Sequence, residues 1–221
     1  MSGFIFLITM IICFVLFYVV YKYFGKHEFY LLSIIYSILS FIFSFKLISI
    51  LGLNINTSII FCSVLLLMLY HFISRYGKDE YKKYIMTIFL STIAAEIFMV
   101  INALVVPSIY DEKIGLFQNL LFDNWSIFVL YPIVLLIVLL LGSYSFNELK
   151  SDDKNRSVKM IVAIVGVSFI YTFTFVYFSY AFLIRFTEAL LISLDNYLIM
   201  INIMIAYYLC YIKLIKRRKV K

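Results

Sequence analysis

Residues Ser40 to Lys83 read SFIFSFKLISILGLNINTSIIFCSVLLLMLYHFISRYGKDEYKK, two apolar runs joined by a short uncharged segment. The first run predicts the end of a membrane helix that carries Lys46. The segment from Gly52 to Ser58 predicts a turn, and the second helix breaks at Tyr76 and Gly77 into a basic run. A lysine near the middle of a span costs roughly 3 kcal/mol on insertion scales. We therefore expect Lys46 to reach the interface, pair with an acid or face a polar cavity.

The composition places the chain among integral membrane proteins. Hydrophobic residues make up 65% of the sequence and charged residues 14%, and the mean hydropathy is +1.04. Such a chain has too few polar groups to cover a water-exposed surface. Long apolar runs with few breakers predict an all-α polytopic membrane helix bundle rather than a barrel of alternating strands. Cys13, Cys62 and Cys210 lie within apolar runs without paired spacing, so neither a disulfide framework nor a metal site is indicated.

Seven runs are long and apolar enough to predict a crossing of the hydrocarbon core, which is about 30 Å thick. The third run is the shortest and the least certain of the set. The predicted spans are Phe4–Phe24, Phe29–Leu51, Ile59–Ile73, Tyr84–Val106, Trp125–Phe146, Val158–Ile184 and Ala189–Ile212.

Basic residues predict the orientation, because cytoplasmic loops carry an excess of Lys and Arg. With the N-terminus outside and the C-terminus cytoplasmic, the inner side receives sixteen of the 19 basic residues. These sixteen are Lys22, Lys26, Arg75, Lys78, Lys82, Lys83, Lys150, Lys154, Arg156, Lys159, Lys213, Lys216, Arg217, Arg218, Lys219 and Lys221. We therefore expect a multi-pass protein of the cell (plasma) membrane whose basic tail, residues 213–221, lies on anionic lipid.

The stretch from Ser40 to Lys83 resembles the VUT family of small membrane transporters, which is linked to uptake of queuosine precursors. That family has an Asn and a Lys in one helix, then a Gly, a short turn and a helix ending T-D-x-x-x-E-x-Y-G before basic residues. Lys46, Gly52, Tyr76 and Gly77 fall on the Lys, the Gly and the Tyr-Gly of this pattern.

Other positions of the family pattern differ in this chain. The Asn position holds Phe41, the Thr-Asp pair is Leu69 and Tyr70, and the Glu is Ser74. The resemblance implies a six-helix core over residues 29–212, to which residues 1–28 add an N-terminal transmembrane helix. It also implies that Tyr70 and Ser74 lie on the face that binds substrate. Because neither is charged, we expect a ligand that is neutral and more apolar than the family's usual one, or none.

Two polar residues in the fourth predicted span are further candidates for substrate binding. Glu96 lies near the middle of that span, and an acid at such a depth is expected to face the bundle interior. Lys46 and Glu96 lie at similar predicted depths, so we expect them to line one cavity, as a structural ion pair or as a site for a ligand or proton. Asn102, six residues further on, shares the Glu96 face only loosely.

The residues favour a transport or binding function over catalysis. His27 and His71 have no acid or nucleophile at useful spacing, and no phosphate-binding Gly-rich loop is present, so we expect no enzyme activity and no cofactor. A nucleic-acid partner is not expected for a basic tail that flanks a membrane. The leading hypothesis is a secondary transporter for queuosine precursors or a similar small planar metabolite. The alternative is a membrane-embedded sensing or docking module that binds its ligand without transport, with an unknown signalling or transport partner.

Overall fold

The described residues form an all-α bundle of seven helices, each long and apolar enough to cross a membrane. The structure is a computed structural model that describes residues 2–76, 78–104, 122–147 and 156–219. The helices are α1 (Ser2–Tyr23), α2 (Lys26–Phe43), α3 (Ser58–Tyr76), α4 (Lys78–Leu104), α5 (Trp125–Asn147), α6 (Arg156–Ile170, continued through Tyr171–Tyr177 and Phe178–Ala181) and α7 (Phe186–Lys219). The predicted fold class and the number of spans are therefore confirmed.

Helix α3 lies at the centre of the bundle. Every residue from Ser58 to Ile73 is buried, because α1, α2, α4, α5 and α7 all pack against this helix. Its sequence is apolar on all sides, which is typical of a helix enclosed by protein or lipid. The span that was least certain from the sequence is thus the helix around which the others assemble.

A β-hairpin connects α2 to α3. Strands β1 (Leu47–Ile50) and β2 (Leu53–Asn56) pair antiparallel, with Ile48 opposite Ile55. Leu51 and Gly52 form the two-residue loop, and their φ values of 52° and 85° are both positive, as in the tight turns that suit hairpin twist. The end of the bundle that holds these strands is called the hairpin end below.

The hairpin corrects two sequence predictions. The second span was expected to reach Leu51, but α2 ends at Phe43. The Ser44 hydroxyl and amide both donate to the Phe41 carbonyl, at 2.5 and 3.0 Å, which tightens the last turn and ends the helix. The segment expected to be a simple turn is mostly strand β2.

Helix α6 changes its winding halfway along. Residues Tyr171–Tyr177 form a π-helical segment, in which hydrogen bonds run between residues five apart. Tyr171 and Tyr180 are nine residues apart, which in a regular α-helix would place them about 180° apart around the axis. The wider π turns rotate less per residue, so both tyrosines can contact the region around the hairpin.

Side chains of other helices donate hydrogen bonds to backbone carbonyls of α1 and so hold it in the bundle. The Tyr36 hydroxyl of α2 donates to the Cys13 carbonyl at 2.7 Å, and the Tyr207 hydroxyl of α7 donates to the Met10 carbonyl at 2.8 Å. Phe17 is completely buried. The predicted division at residue 28, between an added helix and a six-helix core, stays a prediction.

Candidate functional site

Lys46 lies outside helix α2, on the three-residue connection between α2 and β1. Its backbone N–H donates to the Phe43 carbonyl at 3.2 Å, and its carbonyl accepts the Thr57 N–H at 3.1 Å. Its side chain is exposed. The prediction that Lys46 belongs to a transmembrane helix is therefore wrong, because the chain leaves the helix three residues earlier to form the hairpin.

A cavity of about 170 Å³ lies beside Lys46 at the hairpin end of the bundle. Its wall is formed by residues from the start of α1, the end of α2, β1 and the start of α3. The lining residues are Ser2, Ile5, Phe6, Thr9, Phe43, Lys46, Ile48, Thr57, Ile60 and Phe61. This space, called the Lys46 cavity below, is smaller than the roughly 300–1,000 Å³ typical of drug-sized sites, so it suits a small group.

The chemistry of the Lys46 cavity is mostly apolar, with one cation. The rings of Phe43 and Phe61 lie 5.1 Å apart, centroid to centroid, on one side of the space. The Thr57 hydroxyl donates a hydrogen bond to the Phe43 carbonyl at 2.9 Å. Within the described part of the chain, Lys46 has no acidic side chain at ion-pair distance. The Lys46 ammonium group is therefore a charged donor that is available to a ligand.

Glu96 lies in a different part of the molecule from Lys46. It lines a groove of about 280 Å³ between α4 and α5, together with apolar side chains of both helices. Its carboxyl is buried, and no ion pair joins it to Lys46 among the described residues. The expected cavity shared by Lys46 and Glu96 is therefore not formed. Asn102 is exposed near the end of α4 and does not line the groove.

Tyr70 and Ser74 lie one turn apart near the end of α3 that is remote from the hairpin. Tyr70 is buried, and its ring contacts Phe146 of α5 and Tyr208 of α7 edge to face. Ser74 is exposed, and its hydroxyl donates to the Tyr70 carbonyl at 2.8 Å. The structure thus brings Tyr70, but not Ser74, into the bundle interior. The binding roles of both residues stay predictions.

Sequence reasoning missed a group of buried polar residues that fixes the hairpin. Asn56 Nδ2 donates to the Ser44 carbonyl at 2.7 Å and to the Tyr180 hydroxyl at 2.9 Å. Asn56 Oδ1 accepts the Ser58 N–H at 2.9 Å, which satisfies a donor at the start of α3. The Ser58 and Tyr171 hydroxyls lie 2.8 Å apart.

Helix α7 completes this group from the other side of the hairpin. The Asn196 side chain accepts the Asn56 N–H at 2.7 Å and donates to the Asn54 carbonyl at 3.0 Å. Asp195 accepts the Asn54 N–H at 2.9 Å. The open edge of β2 is therefore paired by side chains of α7. The alternation L-N-I-N in residues 53–56 was the sequence signal for this strand.

At the opposite end, a second cluster is built from aromatic rings around His71. The His71 Nδ1 atom and the Tyr211 hydroxyl are 2.7 Å apart, and the Tyr21 ring meets the imidazole edge to face at 4.7 Å. Near this end Lys26 Nζ donates to Glu80 Oε2 at 2.6 Å and so links the starts of α2 and α4. Among the described residues no group of three His, Cys, Asp or Glu side chains is arranged to hold a metal ion.

These features define a polytopic integral membrane protein with a β-hairpin inserted between its second and third helices. No family model, curated protein or solved structure matches the chain.

Proposed function

We propose that this membrane protein binds a small planar metabolite at the Lys46 cavity and carries it across the membrane as a secondary transporter. The observation that supports the proposal is the exposed Lys46 side chain, which lines a mostly apolar cavity. In the orientation expected from the basic residues, this cavity opens to the outside of the cell membrane.

The cavity suits a flat ligand that carries a hydrogen-bond acceptor. The rings of Phe43 and Phe61 supply faces and edges for an aromatic ligand, and Lys46 supplies the donor to a carbonyl or an anionic group. The resemblance of residues Ser40 to Lys83 to the VUT family adds the deazapurine precursors of queuosine as the ligand class to test first. The ring carbonyl of such a base is an acceptor that Lys46 would hold.

A second candidate function is a sensing or docking module that binds the same ligand without transport. The packing of the central helix favours this candidate, because residues 64–69 of α3 are all apolar and buried. A polar metabolite would have to pass this helix, and a carrier would therefore need a large rearrangement of the helices around α3. A sensor needs only the cavity at the hairpin end.

Binding to the purified protein in nanodiscs tests the ligand class, because both the transporter and the sensing module should bind the compound. A radiolabelled queuosine precursor is titrated against the wild type, Lys46→Met and the control Lys82→Met, which alters an exposed lysine of α4. A hydrogen bond from a charged group contributes about 1.5–3 kcal/mol. We therefore expect Lys46→Met to weaken binding by about tenfold to a hundredfold, with no change for Lys82→Met.

Uptake of the same labelled compound is then measured in cells that lack their own carrier. Saturable uptake that Lys46→Met abolishes supports the transporter. Binding without uptake above background supports the sensing module instead. If the wild-type protein binds no tested deazapurine, the ligand class is wrong.

A further inference from the structure

Glu96 is a buried carboxyl group that the proposed function does not use. Its residue is 8% exposed, and its Oε1 atom has no hydrogen-bond partner among the described residues. The groove that it lines is otherwise apolar, with Ile93, Ile97 and Val100 on α4 and Phe128 and Val129 on α5. The polar atom is thus aimed into a space that contains no protein donor.

The groove opens toward the side of the bundle. Ile97 and Val129, one on each wall, are 52% and 53% exposed. Both lie within helices long enough to span a membrane, so their exposed surfaces face acyl chains in a bilayer. A molecule dissolved in the membrane can therefore reach the groove without crossing the bundle.

An unpaired carboxylate in such a place is costly, so the Glu96 carboxyl keeps its proton unless a base takes up that proton and stays beside it as a cation. The acidic oxygen attracts a group that carries positive charge and donates a hydrogen bond, and the apolar walls attract a hydrocarbon body. A hydrophilic metal ion would meet one carboxyl and no further ligands here, since the other lining residues are apolar. A neutral molecule that is not a base would leave the carboxyl protonated, and an anionic molecule would bring a negative charge that nothing in the groove compensates.

We propose that Glu96 and the α4–α5 groove form a membrane-facing site for a lipophilic amine. The ammonium N–H donates to the Glu96 carboxylate, and the hydrocarbon part of the amine packs on Ile97, Val100, Phe128 and Val129. Charge-assisted hydrogen bonds of this kind are stronger than those between neutral groups. The site is separate from the Lys46 cavity and does not depend on the proposed transport function.

Trp125, the single tryptophan of the chain, is a natural probe for this site. It begins α5 one turn before Phe128 and Val129, about 5 Å along the helix. A bromoalkyl amine bound in the groove should quench Trp125 fluorescence. The protein is placed in nanodiscs of phosphatidylcholine alone, and a bromoalkyl alcohol of the same chain length serves as the matched control ligand.

We expect saturable quenching by the bromoalkyl amine that the unbrominated amine reverses, whereas the alcohol shows only the linear quenching of a solute dispersed in lipid. Glu96→Gln, which keeps the side-chain shape, should raise the apparent Kd for the amine at least tenfold. Glu188→Gln, which alters an exposed acid at the start of α7, should leave it unchanged.

Val129→Phe fills the lipid-facing side of the groove and retains Glu96. It should also abolish saturable quenching, and it provides an independent test if Glu96→Gln does not fold. Equal quenching of the wild type and both groove variants would overturn the proposal. So would an alcohol that competes as well as the amine, because the carboxylate would then have no part in recognition.

Discussion

Asn56 shows at the scale of one residue how the hairpin end is held together. Its amide makes hydrogen bonds to Ser44, Tyr180 and Ser58 within a completely buried site. A buried donor that loses its partner costs about 1–3 kcal/mol. Because Asn56 is 0% exposed, water does not reach the lost partner in the folded protein. The stability of the hairpin should therefore depend strongly on this single side chain.

Replacing Asn56 with alanine should lower the free energy of unfolding by about 1–3 kcal/mol. Reaction of a thiol dye with the buried Cys13 and Cys62 on heating reports unfolding, in a background where the exposed Cys210 is serine. Asn202→Ala is the matched control, because the exposed Asn202 side chain donates to the Leu198 carbonyl of its own helix and has no other hydrogen-bond partner among the described residues. Equal shifts for the two variants would contradict the assignment of Asn56 as a structural anchor.

Leu51 is held in a backbone conformation that leucine rarely adopts. Its φ of 52° lies in the left-handed region, and its side chain is 98% exposed at the tip of the hairpin. For an L-residue other than Gly, Asn or Asp this conformation costs roughly 1–2 kcal/mol. The leucine at this position therefore opposes the turn, and no contact in the described structure offsets the cost.

Leu51→Asn should consequently raise the midpoint of thermal unfolding, because asparagine tolerates the left-handed region. The thiol-dye assay described for Asn56 measures the change. Leu183→Asn is the control, since Leu183 is an exposed leucine in the connection between α6 and α7, where φ is not positive. A midpoint that falls after Leu51→Asn would mean that the leucine side chain has a stabilising contact of its own.

At the scale of an element, three tyrosines within and just after the π-helical segment of α6 differ in the hydrogen bonds of their hydroxyls. The hydroxyls of Tyr171 and Tyr180 bond to Ser58 and Asn56, whereas the buried Tyr177 hydroxyl has no hydrogen-bond partner among the described residues. All three residues lie within ten positions of one helix. The same substitution at each position therefore separates the effect of the lost hydroxyl from that of the helix.

Tyr171→Phe and Tyr180→Phe should each destabilise the protein by about 1 kcal/mol or more, because each leaves a buried polar group without its hydrogen-bond partner. Tyr177→Phe should be neutral or stabilising, since it removes a buried hydroxyl that has no hydrogen-bond partner among the described residues. Thermal unfolding of the three variants in one detergent gives the comparison. Three equal changes would show that the π segment does not direct the hydroxyls as described.

At the scale of the whole molecule, seven helices that can each cross a membrane predict that the two ends of the chain lie on opposite sides. The excess of basic residues predicts that the N-terminus is outside. The Lys26–Glu80 ion pair lies at the end expected to be cytoplasmic, as do the loops rich in lysine. The hairpin end carries Lys46 beside its cavity.

Cysteines introduced by Ser2→Cys and Lys221→Cys test this orientation in a chain without its three natural cysteines. A membrane-impermeant maleimide should label residue 2 in intact cells, and it should label residue 221 only after lysis. Labelling of both positions in intact cells, or of neither, would contradict an odd number of crossings.

Much of the architecture follows from the sequence, because a run of about 20 apolar residues has few alternatives to a membrane helix. The end of α2 could not be predicted in the same way. Leu47 to Ile50 are as apolar as the helix before them, and hydropathy does not distinguish a short strand from a further helical turn. The strand is recognised only through its partner, β2, and through the Ser44 side chain that ends α2.

The candidate site was harder to predict than the fold. Lys46 and Glu96 were expected to meet because their depths were inferred from two continuous helices. The hairpin moves Lys46 off its helix, and Glu96 lies in a groove on another side of the bundle. The depth of a residue along its helix does not show which side of the bundle that residue faces. The side chains that meet at the hairpin end come from segments more than 100 residues apart, which a single sequence does not reveal.

The enclosure of α3 has a consequence for biosynthesis. This helix is made third, but three of the helices that cover it, α4, α5 and α7, are made later. On a ribosome that has completed only α1 to α4, much of the surface of α3 must still face lipid or the insertion machinery, and the strand edge of the hairpin lacks Asp195 and Asn196. A nascent chain therefore remains in an incomplete state until its last helix is inserted. Truncation before α7 should leave a product that cellular quality control degrades.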